Sequence, residues 1–139
     1  MKNDAEVRQD IYAIVVSSPI KDAISGEVRI IPRAKGSNAE DCIISVQGNL
    51  DGQIQNCIVY VNVYVQNINN RGESVENVAR TSMLAKLCED TLQSGYGNGF
   101  RYYIESQRIS AVNGKDEHVI VNKLHYKFNN EEKWQRKKY

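Results

Sequence analysis

The side chains able to do chemistry here are few: His118 and His125, the thiols Cys42, Cys57 and Cys88, and the carboxylate pairs Glu40-Asp41, Glu89-Asp90 and Asp116-Glu117. A metal needs several of them converging on one point, yet the two imidazoles are seven positions apart on one expected strand. An odd offset sends them to opposite faces, so no metal site is expected. The thiols are odd in number, widely spaced and without a C-x-x-C pair, which marks inert core residues of a reducing compartment. Each carboxylate pair falls at the end of an expected element, where water and helix dipoles surround it and no apolar cleft tunes it for general acid-base work. Gly95-Tyr96-Gly97-Asn98-Gly99 looks like a phosphate-cradling loop. It follows an expected helix and enters an expected strand, the reverse of the order that aims helix N–H groups at phosphate, so it reads as a C-cap and connector. The expectation is a chain with no catalytic residue, no cofactor and no metal.

Tyr60, Tyr64, Tyr102, Tyr103 and Tyr126 are the residue type on which bases stack, but that use needs a basic face beside them. Eighteen Lys and Arg against 17 Asp and Glu leave a net charge of +1, too weak a field to make a phosphate backbone the main partner. No specific nucleic-acid binding is expected. No run approaches the ~18 apolar residues of a membrane span, and Asp4 and Glu6 stand where a signal peptide carries basic residues. The expected site of synthesis is a cytoplasm.

The elements that must position these groups follow from periodicity. Asn3 with Glu6 is a capping-box pair, and Val7, Ile11, Ile14 and Val15 recur at helical spacing, which predicts a helix over 4–17 ended by Pro19. Glu27 to Ile31 is a peripheral strand closed by Pro32, and the polar stretch Arg33 to Asp41 is an exposed loop with Arg33 and Lys35 at its tip. Cys42 to Val46 pairs through a turn at 48–52 with a long strand over 53–66. In that strand Val59, Val61, Val63 and Val65 alternate onto one face, and Tyr60, Asn62, Tyr64 and Gln66 onto the other. The valines should meet helices, and the Tyr/Asn face is either solvated or packed on another subunit. After a loop from Asn67 to Gly72, Ser74 and Glu76 suit the start of a second helix that Gly95 stops. Two strands around Asn113-Gly114, the strongest short hairpin signal, complete the domain, with Ile120, Leu124, Tyr126 and Phe128 on the apolar face of the second.

The fold class is therefore α+β: one domain over 1–128, in the order α-β-β-β-α-β-β, with a mainly antiparallel sheet and two helices on one face. Residues 129–139 form a basic extension, with four cations against two carboxylates. Three stretches carry a family resemblance: Ser18-Pro19-Ile20-Lys21-Asp22-Ala23-Ile24-Ser25-Gly26-Glu27-Val28, the run from Arg33-Ala34-Lys35-Gly36 to Ile43-Ile44-Ser45-Val46, and Ile58-Val59-Tyr60-Val61-Asn62-Val63-Tyr64-Val65. With the element order, they make the chain similar over about 5–128 to the tail-terminator, or tail-completion, proteins of long-tailed bacteriophages and prophages. The motifs are structural, and the resemblance transfers no catalytic residue.

What it implies is a homo-oligomer, typically a hexameric ring, that caps the tail tube and meets the head-completion proteins. Its place would be the virion tail, and the host cytoplasm during assembly. The tail tube protein, the head-completion protein and other copies of the chain would be its partners, with no membrane involved. A ring contact uses two different patches per subunit. The candidate patches are the loop residues Arg33, Lys35 and Glu40, the strand face Tyr60, Asn62 and Tyr64, the loop Asn69 and Arg71, and Trp134 and Arg136 of the extension. The alternative is a small-ligand-binding or regulatory α+β dimer, which would need a pocket between sheet and helices.

Overall fold

The computed structural model of the chain describes residues 2–50, 52 and 54–129. Asn3 accepts a hydrogen bond from the Glu6 amide at 2.9 Å, and the Glu6 carboxylate accepts one from the Asn3 amide at 3.2 Å. That reciprocal box starts helix α1 (Asp4–Val16) where the spacing predicts it. A short helix α2 (Pro19–Ala23) follows, capped by Ser18, with Pro19 at the first turn where no N–H is missed. Periodicity predicts no helix there, because five residues hold too few apolar repeats.

Strand β1 (Val28–Arg29) is shorter than the expected run, and β2 (Cys42–Leu50) is longer, extended past a bulge between Gln47 and Asn49 where Gly48 takes φ 62°. β3 (Ile54–Gln66) is the long valine strand. The expected loop after it folds into a hairpin of β4 (Ile68–Asn70) and β5 (Glu73–Val75), with Asn69 opposite Ser74. That pairing takes Ser74 away from the helix, and α3 (Val78–Leu92) is capped by Asn77 instead, whose side chain accepts from the Arg80 amide. Glu76 precedes the helix and accepts a hydrogen bond from Thr81 Oγ1 at 2.6 Å.

Gly95 does not end α3 as a C-cap. It lies in β6 (Ser94–Tyr96), opposite Tyr102 of β7 (Phe100–Ala111), whose ring occupies the space a Cβ would need. The hairpin through Asn113-Gly114 then leads into β8 (Glu117–Asn129). The six-stranded sheet has the order β1-β2-β3-β8-β7-β6, and every pairing in it is antiparallel except β1 with β2.

The chain is thus an α+β domain. Val59, Val61, Val63 and Val65 of β3 and Ile120, Leu124, Tyr126 and Phe128 of β8 form the buried face. Val7, Ile11 and Val15 of α1, Ile20 of α2, and Leu84, Cys88 and Leu92 of α3 pack over it. Burying each such aliphatic group stabilises the fold by about 1.5–3 kcal/mol relative to exposure. Asn122 sits among them with its hydrogen bonds filled: its amide donates to the Val61 carbonyl, and its oxygen accepts from Gln107.

Candidate functional site

All three helices lie on one face of the sheet, so the other face is where side chains stay available. Residues that alternate with the core positions point there: Ile43 and Ser45 of β2, Ile58, Tyr60, Asn62 and Tyr64 of β3, Val119, Val121, Lys123, His125 and Lys127 of β8, and Arg101, Tyr103 and Arg108 of β7. The predicted trio Tyr60, Asn62 and Tyr64 sits in its middle, half-buried by its neighbours. Asn62 Oδ1 is buried yet has no hydrogen-bond partner among the described residues. The five tyrosines do not make one platform, because Tyr102 and Tyr126 turn into the core while Tyr60, Tyr64 and Tyr103 face outward.

One end of this face is covered by the segment between β1 and β2, and here the structure corrects the expected exposed loop in part: Ala34, Lys35, Gly36 and Asn38 are exposed, but Arg33, Glu40 and Asp41 are drawn inward. Arg33 is not a free tip residue. Its guanidinium lies 4.2 Å from the centre of the Tyr64 ring, donates from Nε to Asp41 at 3.0 Å and from Nη1 to Glu117 at 2.6 Å, and bonds the carbonyls of Ser37 and Ala39. The side chains of Arg33, Asp41 and Glu117 are 11%, 7% and 2% exposed. Burial pushes the Asp41 carboxyl up, but hydrogen bonds from Ser37, Arg33 and the Glu27 amide outweigh it and hold the group below the usual carboxylate value. Gln66 donates to the second Glu117 oxygen at 2.7 Å.

Glu40 is likewise not a surface residue. It accepts from Arg80 Nε at 2.7 Å and Nη2 at 2.6 Å, and from the Ser25 amide at 3.0 Å, which ties the segment to α2 and α3. The Arg80 guanidinium holds its carboxyl below the ordinary value, against the upward push of burial. Glu40, Asp41 and Glu117 are therefore buried and clamped by arginines, where solvation was expected, while Asp116 is exposed as expected. The third carboxylate pair, Glu89-Asp90, is exposed, with Lys86 at 3.2 Å from Asp90.

Lys35 remains exposed. Asn69 accepts from the Gly72 amide at 2.8 Å and so shapes the tip of the β4–β5 hairpin, where Arg71 adopts φ 53°. Both are exposed. Trp134 and Arg136 lie outside the described residues. Of the predicted patches, then, only the β3 trio and the hairpin tip present side chains outward as groups.

A strip along β6, β7 and β8 escaped the sequence reading. Arg101 stands directly opposite Lys127, with Tyr96 opposite Arg101 on its other side, and two residues on along the same face Tyr103 stacks on His125 at 5.2 Å. Like charges facing each other across strands are unfavourable, so this pair is chemistry suited to an anionic partner group. Open grooves of about 540 and 770 Å³ flank it, both lined by Tyr96, Arg101 and Lys127. The Asn113-Gly114 turn sets the β7–β8 register and was the signal that could have found the strip.

The thiols are buried, as their spacing predicts, and burial pushes Cys57 and Cys88 each up to about 11. His118 bonds Asn67 at 2.7 Å, and His125 bonds Tyr103 and Asn56 on the opposite face of the strand. Among the described residues no cluster of three or more metal-ligating side chains occurs, and no helix is long and apolar enough to cross a membrane. Compared with known proteins, the chain matches no protein-family model and no curated sequence.

Proposed function

We propose that this chain is a structural subunit of a phage or prophage tail that assembles into a ring, caps the tail tube and joins it to the head-completion proteins. The observation that supports it most is the one-sided domain: helices close one face of the sheet, and the other presents a tyrosine, asparagine and cation surface. The unpartnered Asn62 oxygen lies at its centre. A buried acceptor left unbonded costs about 1–3 kcal/mol, and a docked partner would recover that. Large apolar side chains also gather at one end of the sheet, where Leu50 is 70%, Ile54 50% and Tyr96 86% exposed. An end of that kind suits seating on another protein. The sequence resemblance supplies the tail assignment.

The test is solution mass by light scattering over a wide concentration range, with electron microscopy of any large species. A ring of about six copies that binds tail tubes supports the proposal. A stable dimer without rings favours the alternative, a ligand-binding or regulatory module using the Arg101–Lys127 grooves, and titration with small anions would then locate the ligand.

A further inference from the structure

Among the described residues, the sheet ends in two strand edges that no further strand pairs with along most of their length. Pro32 and the bend before it stop β1 after two residues, so β1 pairs only with Cys42 and Ile43, and Ile44–Leu50 of β2 has no strand beyond it among the described residues. On the far side β6 pairs only with Arg101, Tyr102 and Tyr103, and the Ile104 amide bonds the Gln93 carbonyl, so beyond it β7 is paired on the β8 side alone among the described residues. Exposed edges are normally guarded by lysines or prolines, yet the nine residues of β2 contain no charge and no proline.

The two edges also fit each other. Three antiparallel steps, from β2 to β3 to β8 to β7, make β2 and β7 run in opposite directions. A second copy placed beside the first continues the alternation when its β2 meets β7. Faces match when Ile44 and Val46 stand beside Ile109 and Gln107 on the helix side, with Ser45 opposite Arg108 and Gln47 opposite Ser106 on the open side. The contact joins two different surfaces, so it is heterologous and builds a ring if the rotation closes.

We infer that copies of this chain join edge to edge, β2 of one subunit pairing antiparallel with β7 of the next, so that the sheet runs continuously around the assembly. This rests on the ring reading above and names the contact that makes the ring. The occupant is a second copy because both halves of the contact are present once per chain, on opposite sides of one sheet.

Gln47 and Ser106 are exposed, and within a chain two strands separate theirs, a gap of about 14 Å at about 4.8 Å per strand, too far for a disulfide. The native thiols are buried and do not interfere. Gln47→Cys and Ser106→Cys proteins, mixed and oxidised, are expected to give disulfide-linked pairs, and the double variant a ladder up to the ring number. Either single variant alone should stay unlinked. Ser45→Arg, placed against Arg108, should abolish the ring with the far-ultraviolet dichroism unchanged, and Ser45→Arg with Arg108→Glu should restore it. Rings seen by microscopy without the mixed disulfide overturn the edge contact and leave ring assembly standing. Linked dimers from Gln47→Cys alone overturn it in favour of a two-fold contact. A monomer at every concentration, with and without tail tubes, overturns both.

Discussion

Replacing Arg33 by Met separates a buried clamp from a surface residue. The guanidinium is one cation between two carboxylates, Asp41 at 3.0 Å and Glu117 at 2.6 Å, all with side chains no more than 11% exposed. Removing one member of a buried ion pair leaves uncompensated charge and costs about 3–5 kcal/mol, whereas a surface substitution stays within about 0.5 kcal/mol. Against a total stability of about 5–15 kcal/mol the loss is large, and at a urea slope of about 2 kcal/mol/M it moves the midpoint down by about 1.5–2.5 M. The assay is urea unfolding followed by circular dichroism at pH 7 and again near pH 3. Asp41 is held below its ordinary 3.8 in the folded state, so it stabilises the native protein above that value and loses the contribution as pH falls through its folded value. Without Arg33 less of that contribution exists to lose. Once protonated, Asp41 no longer needs the cation, so the gap between native protein and variant should narrow on acidification. A cost under about 1 kcal/mol at pH 7, or a gap unchanged between pH 7 and pH 3, would refute the clamp.

The Glu40–Arg80 bond predicts that Arg80→Ala and Glu40→Gln each destabilise, and that the double variant loses less than the sum by about 1–3 kcal/mol in the same unfolding assay. Cys57 and Cys88, buried and pushed up to about 11, should resist a thiol-specific reagent at pH 8 in the folded protein and react fully in urea. Lys127→Glu turns the Arg101 pairing from like to opposite charge, so it should raise stability by about 0.2–1 kcal/mol, with the increment shrinking in high salt.

Period-two alternation made β3 legible, because each valine's neighbours on the same face lie two residues away. The hairpin at Asn113-Gly114 was legible for the same local reason. The fate of Arg33 was not: Glu117 is 84 positions away in the chain, and Arg80 is 40 from Glu40. Nothing local distinguishes an arginine in a polar, glycine-containing stretch that will be buried from one that will be solvated. Ser74 was the expected cap, and the shift to Asn77 follows from the pairing of Ser74 with Asn69, a contact that exists only once β4 and β5 form.

Two of the charges that looked most available for a partner, Arg33 and Glu40, are therefore consumed inside the chain, where they fasten the segment from Arg33 to Asp41 onto the ends of β3, β8 and α3. That use changes where an interface can lie. A charge bonded to buried partners resists being recruited outward, since each bond given up exposes another group to desolvation without compensation. What remains for the proposed assembly is surface that internal folding leaves open among the described residues: Tyr60 and Asn62 of β3 with the unbonded Asn62 oxygen, the Arg101–Lys127 strip, and backbone along β2 and β7. Backbone edges need no particular side chains to bond, only the absence of obstruction. The uncharged run Cys42–Leu50, unremarkable as a source of chemistry, is for that reason the part of the sequence on which the proposed edge contact turns.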